Sequence, residues 1–125
     1  MEIADANYIL RYLLKDNEQQ YHNASHVFEN KSITIPGEII AEVVYVLQKV
    51  YKIQNELICN ALTWLIDYPN VILDQKPIIR LALKLLSQNN LDYADNLLLA
   101  YHEIREAKIH TFDKKLIKAL KAKRS

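Results

Sequence analysis

The sequence predicts an α/β fold in which short strands alternate with helices around a parallel sheet. Apolar residues recur at helical spacing over most of the 125 residues. Short apolar runs stand between these stretches, as expected for strands. The chain contains one glycine and three prolines, too few for the many tight turns of an all-β fold. Right-handed crossovers between parallel strands then place helices on both faces of the sheet.

The first half of the chain opens with a predicted strand and its helix. Residues 1–4 form a short apolar run that ends at Asp5, and the apolar residues within 9–14 recur at helical spacing. Residues 32–35 alternate like a strand and stop at Pro36, a residue favoured in the first turn of a helix. Helices are therefore expected after Asp5, at Glu18–Glu29, from Pro36 to about Tyr51, and at Asn55–Asp67.

The second half repeats the alternation of strands and helices. Tyr68–Asn70 closes the preceding helix, and Gln88–Asn90 is a turn between two further helices. The predicted elements are a strand at Val71–Leu73, helices at Pro77–Gln88 and Asp92–Ala107, a strand at Ile109–Thr111, and a closing helix at Asp113–Lys123.

Composition excludes several classes of site. The single cysteine, Cys59, allows neither an internal disulfide nor a cysteine-based zinc site. With Gly37 as the only glycine, no phosphate-binding glycine loop can be written, which excludes Rossmann cofactors and P-loop nucleotides. No signal peptide or membrane span is predicted, so we expect a cytoplasmic protein.

Charge is distributed unevenly along the chain. The formal net charge of +1 gives no general attraction to nucleic acid. After Asp113, however, the chain carries only basic charges. These are Lys114, Lys115, Lys118, Lys121, Lys123 and Arg124. Such a segment is either a solvated helix face or a phosphate-binding surface beside Asp113.

Acidic residues stand at places where an α/β fold would bring them together. Asp5 and Asp113 follow the first and last predicted strands, and ligands of open parallel sheets bind beyond the carboxyl ends of strands. Asp92 and Asp95 open the helix before the last strand, and Glu42 lies early in the helix after the second. Because close carboxylates repel one another, such a cluster favours a cation. Oxygen ligands without His or Cys suit Mg²⁺ or Mn²⁺, which support phosphodiester hydrolysis.

A second interpretation of the same acids stays open at this point. Asp5, Asp92 and Asp113 each precede a predicted helix, where Asp caps free backbone N–H groups. Asp92 with Asp95 also resembles a capping box. Glu42 falls on a stripe with Glu38, Tyr45 and Lys49 that is expected on the solvated side of its helix.

Four segments together resemble the motifs of PIN-domain ribonucleases, and in particular the VapC-type toxins of toxin–antitoxin pairs. The segments are Ile3–Leu14 with its Asp5-x-Asn7, Ile33–Pro36 with Ile40–Val43, Leu91–Leu97, and Thr111–Leu116. They occur in the family's order and span nearly the whole chain. The resemblance implies a PIN-like three-layer sandwich, with a central parallel sheet of four or five strands, and residues 1–125 as one domain.

The resemblance also assigns roles to individual residues. It implies a catalytic quartet of Asp5, Glu42, Asp95 and Asp113, with Asp92 as a further, auxiliary acid. Asp5, Asp95 and Asp113 would hold Mg²⁺ or Mn²⁺, and Glu42 would help to bind the metal or orient water. Asn7 and Thr111 match polar positions beside the site. Lys114 and Lys115, next to Asp113, are the candidates for phosphate contacts.

The function implied is that of an endoribonuclease that leaves a 5′-phosphate. The family further implies a homodimer and a small antitoxin that blocks the site. Two predicted helices hold more apolar residues than one buried stripe needs, so a groove for an antitoxin helix is expected. These residues are Ile9, Leu10, Leu13, Leu14, Val43, Val44 and Leu47. Two alternatives stay open: a PIN nuclease of RNA maturation without an antitoxin, and a catalytically silent PIN-like module that only binds a partner.

Overall fold

The computed structural model describes residues 1–122. The chain divides into two compact units, the first unit (Met1–Asp74) and the second unit (Gln75–Ser125). Lys123 and Arg124, which end the predicted basic run, lie outside the described residues. Across residues 1–122, every helix is too short or too polar to cross a bilayer.

The first unit combines helices with a small parallel sheet. Its elements are α1 (Ala6–Leu14), α2 (Glu18–Asn30), β1 (Ile33–Thr34), α3 (Gly37–Lys49), α4 (Asn55–Ile66) and β2 (Val71–Ile72). Strands β1 and β2 run parallel, with Ile33 opposite Val71 and Thr34 opposite Ile72. Ile3 adds a parallel bridge to Thr34.

The predicted first strand is present as this bridge and its hydrogen bonds. The Ala4 amide donates to the Thr34 carbonyl at 3.1 Å, and the Thr34 amide donates to the Glu2 carbonyl at 2.7 Å. The segment therefore lies beside β1, and Asp5 follows its carboxyl end. Helices α2 and α3 both pack on α1, through fully buried side chains such as Ile9, Phe28 and Val44.

The second unit is helical in its described part. Its elements are α5 (Lys76–Leu86), α6 (Tyr93–Arg105) and α7 (Lys114–Lys121). Leu85, Leu91, Leu99 and Leu116 form a buried cluster that joins the three helices. Burial of apolar surface at about 25 cal/mol per Å² is the main force that holds such a cluster together.

The sheet is smaller than the sequence predicts. The α/β class stands, but the described residues form two strands and one extra bridge rather than four or five strands. The predicted strand at Ile109–Thr111 is irregular, and within residues 1–122 its backbone joins no ladder. Ile109 instead packs against the leucine cluster, and the Thr111 hydroxyl accepts a hydrogen bond from the Asp113 amide.

Candidate functional site

Asp5 begins α1 and is exposed. Its backbone is extended, and its Oδ1 accepts a hydrogen bond of 2.9 Å from the Tyr8 amide, which satisfies a free donor of the first turn. Asp5 also lines a cavity of about 470 Å³ in the first unit, together with Glu2, Tyr8 and Val27. Asn7 is exposed in the same first turn of α1.

Glu42 lies on the exposed side of α3. Glu38, Tyr45 and Lys49 are exposed with it, and they form the solvated stripe that the sequence allows as an alternative. The opposite side of the helix is buried, as Val43 illustrates. The catalytic role of Glu42 therefore stays a prediction, as does that of Asp5.

Three acids of the second unit lie close together. Asp92 caps α6 by accepting a hydrogen bond of 2.8 Å from the Asp95 amide. Asp113 caps α7 by accepting from the Leu116 amide at 2.9 Å. The Thr111 Oγ1 accepts from the Asp113 amide at 3.1 Å, so Thr111 holds the backbone from which the Asp113 carboxylate projects.

The pKa of Asp95 depends on its burial and on the two neighbouring acids. Loss of contact with water raises the pKa of Asp95 above its ordinary value. The negative charges of Asp92 and Asp113 raise it further, as does a hydrogen bond with Asp92. A nearby cation would reverse the effect by favouring the ionised carboxylate.

The chemistry of these side chains suits a hard divalent cation in an open site. Asp92, Asp95 and Asp113 offer only oxygen ligands, which Mg²⁺ and Mn²⁺ prefer. In neither unit does the described chain close three His, Cys, Asp or Glu side chains around a metal position. Mg²⁺ retains several waters and commonly uses only one or two carboxylates, so a closed ligand shell is not required.

Basic side chains accompany this group. Lys114 and Lys115 are exposed at the first two positions of α7, directly after Asp113. Cations at a helix N-terminus are not stabilised by the helix dipole, whereas an anion bound there would be. The position of Lys114 and Lys115 at the start of α7 therefore suits contact with phosphate groups of a bound polymer.

Two residues of the second unit, Asn89 and Asn96, form a contact that the sequence pattern does not predict. Asn96 follows Asp95 and is fully buried, and its amide pairs with that of Asn89. The helical spacing could have identified Asn96 as a buried polar residue. It lies one turn from Tyr93 and from Leu99 on the buried face of α6, where an apolar residue is expected.

The comparison with protein families agrees with the arrangement of motifs. Residues 3–122 match the family model of the PIN domain. Neither a curated protein nor a solved structure matches the chain. The matched span contains every candidate site residue from Asp5 to Lys115.

Proposed function

The chain belongs to the PIN-domain family, and on that premise we propose that it is a Mg²⁺- or Mn²⁺-dependent endoribonuclease. Membership of the family points to a nuclease-type function. The observation that carries the proposal is the placement of Asp92, Asp95 and Asp113 at the starts of α6 and α7, where Asp92 also binds the Asp95 amide. Burial, and then the charges of Asp92 and Asp113, raise the pKa of Asp95. Carboxylates held this close are stabilised by a cation. Residues 1–125 are proposed to act as a single PIN domain.

The proposal gives each acid a role. Asp5, Asp95 and Asp113 would hold the cation, with Asp92 as an auxiliary ligand. Glu42 would help to bind it or orient the attacking water. When bound, the divalent cation supplies water activation and stabilises the leaving oxygen.

The neighbouring polar residues support the acids and the substrate. Thr111 fixes the backbone of Asp113 through its 3.1 Å hydrogen bond. Asn7, on the first turn of α1, is proposed to bind beside Asp5. Lys114 and Lys115 are proposed to contact RNA phosphates, an interaction that weakens as salt rises.

Purified protein and an end-labelled RNA test this function. We expect cleavage with Mg²⁺ or Mn²⁺ and none with a chelator. Asp113→Asn, purified in the same way, is the control for contaminating ribonuclease and should be inactive. Equal cleavage by this variant, or cleavage that resists chelation, would contradict the proposal. Folded wild-type protein that cuts no RNA with either metal would favour the silent binding module.

We further propose that this nuclease is a homodimeric toxin that acts in the cytoplasm and is restrained by a small antitoxin. An apolar groove of about 530 Å³ in the first unit supports a helical partner, since it is lined by Leu13 and Leu14 of α1 and by Leu57 and Trp64 of α4. Leu57 and Trp64 are 57% and 53% exposed, which leaves large apolar side chains in contact with water. An amphipathic helix that lays its apolar face in the groove would cover them.

Growth of expressing cells tests the toxin proposal. Expression of the chain alone should slow growth, and co-expression of the neighbouring gene should restore it. Leu57→Lys should abolish this rescue, whereas Val50→Lys, at an exposed apolar position outside the groove, should not. Healthy growth with abundant folded protein would contradict the toxin proposal, and the RNA assay would then decide between the RNA-maturation nuclease and the silent module. Sedimentation of the purified chain tests the homodimer.

A further inference from the structure

Asn96 is an exception in the core of the second unit. Within residues 1–122 it is the one buried side chain that is neither aliphatic nor aromatic, and its exposure is 0%. A buried amide without partners is destabilising, so its hydrogen bonds define what it does. The Asn89 Nδ2 donates to the Asn96 Oδ1 at 2.7 Å, and the Asn96 Nδ2 donates to the Asn89 Oδ1 at 3.0 Å. We call these two side chains the amide pair.

The amide pair also holds the backbone that leads into α6. The Asn89 Oδ1 accepts from the Leu91 amide at 3.0 Å. The Asn96 Nδ2 also lies 3.2 Å from the Leu91 carbonyl and 3.1 Å from the Asp92 carbonyl. Its two hydrogens serve these carbonyls and the Asn89 Oδ1, so one hydrogen is shared between two acceptors. Leu91 is thus bound at its N–H and its C=O, and Asp92 at its C=O. The turn directly before the Asp92 side chain is fixed from inside the unit.

Both carboxylates at the start of α6 depend on this turn. Asp92 binds the Asp95 amide through its own carboxylate at 2.8 Å, and Asp95 precedes Asn96 in the chain. Two like charges in this position repel one another, so the turn would relax if nothing held it. A buried, satisfied hydrogen-bond network provides a rigid hold because breaking any member exposes an unpaired polar group to an apolar environment.

We propose that the amide pair Asn89–Asn96 is a positioning device that sets the divalent-metal affinity of Asp92 and Asp95. This inference rests on the proposed metal-dependent nuclease function. Neither amide is a ligand; the pair acts through the backbone of Leu91 and Asp92. Loss of such outer partners of metal ligands typically weakens metal binding by roughly 10- to 100-fold.

Mn²⁺ titrations of the folded protein, followed by electron paramagnetic resonance, test this role. Asn96→Leu keeps the volume of the buried side chain and removes every hydrogen bond of the amide. Asn89→Ala removes the other half of the pair at a half-buried turn position, where folding is less at risk. Leu99→Val is the matched control, because it perturbs the buried side of the same helix and leaves every hydrogen bond of the amide pair in place.

We expect Mn²⁺ affinity to fall by roughly 10- to 100-fold in Asn96→Leu and Asn89→Ala, and by less than about 2-fold in Leu99→Val. RNA cleavage at saturating Mn²⁺ should return close to the wild-type rate in both amide variants. Without metal, the Asp95 amide should exchange its hydrogen faster in both, since its bond to Asp92 is held less firmly.

Four results would overturn the inference. The first is wild-type Mn²⁺ affinity in either folded amide variant, which removes the positioning role while the nuclease stands. The second is an equal loss of affinity in Leu99→Val, which shows general destabilisation. The third is absence of Mn²⁺ binding by the wild type, and in that case the proposed function fails as well. Unchanged hydrogen exchange of the Asp95 amide in both variants would show, independently of any metal, that the amide pair does not fix the turn before Asp92.

Discussion

Asp113 combines two roles that a pair of substitutions can separate. Its carboxylate caps α7 through the 2.9 Å bond from the Leu116 amide, and it is proposed to hold the metal. Asn caps a helix about as well as Asp does, so Asp113→Asn keeps the cap and loses the charge. The lost charge–dipole attraction costs about 0.3–1 kcal/mol, offset in part by weaker repulsion of Asp95. Asp113→Ala also loses the cap, at about 1 kcal/mol more, which lowers the melting temperature by roughly a further 4 °C.

Thermal denaturation without metal and RNA cleavage with Mn²⁺ measure the two effects separately. Both variants should lose more activity than the roughly 10- to 100-fold that loss of an outer partner costs, and only the alanine should lose the cap energy. Asn17, which caps α2 by accepting from the Gln20 amide at 3.0 Å, supplies the control. Asn17→Ala should lose about 1 kcal/mol and keep full cleavage. If Asp113→Asn retains cleavage, Asp113 acts only as a helix cap. If Asn17→Ala loses cleavage to the same extent, the inactivity of the Asp113 variants is due to lower stability.

Further predictions concern charge, core and the cysteine. The raised pKa of Asp95 means that ionisation of this carboxyl is less favourable in the folded chain than in the unfolded chain. Its contribution to the free energy of unfolding therefore falls as pH rises through the folded pKa. Asp95→Asn should therefore melt higher than wild type at pH 7 without metal, with the difference vanishing at about pH 3, below the ordinary Asp pKa. Phe28→Ala removes a fully buried ring whose centroid lies 5.1 Å from that of Tyr12, and it should lower the free energy of unfolding in urea by about 3–5 kcal/mol. Cys59→Ser should cleave RNA at the wild-type rate, since Cys59 has no proposed role and its Sγ lies 3.9 Å from the Thr63 hydroxyl on the same helix. A strong loss of activity without unfolding would contradict the assigned chemistry.

The helices were largely predictable because an amphipathic period and a cap are local properties of the chain. Helix α2 begins at Glu18 as predicted, and α4 begins at Asn55. The caps predicted at Asp5, Asp92 and Asp113 are confirmed by hydrogen bonds to the third residue after each. Capping chemistry needs only neighbouring residues, so a single sequence is sufficient to identify it.

Strands and buried polar contacts were less predictable because both depend on distant partners. The residues of Ile109–Thr111 are compatible with a strand, but they cannot show whether a neighbouring strand accepts the backbone hydrogen bonds. Asn96 similarly looks like a break in an apolar face until Asn89 is seen beside it. Of the residues expected to line the groove, Ile9 is buried in the core, whereas Leu13 lines the groove.

The ends of the RNA products test the central claim most directly. Attack by water on the phosphorus, with the 3′-oxygen as the leaving group, gives a 5′-phosphate and a 3′-hydroxyl, and the water oxygen enters the 5′-phosphate. A divalent cation held by these carboxylates would supply activation of that water. Cleavage in ¹⁸O-labelled water with Mn²⁺ should therefore give 5′-phosphate ends that carry the label, and Asp113→Asn should give none. Products with 2′,3′-cyclic phosphates and 5′-hydroxyls would show attack by the RNA's own 2′-hydroxyl, and would contradict a metal-dependent hydrolase built on these carboxylates.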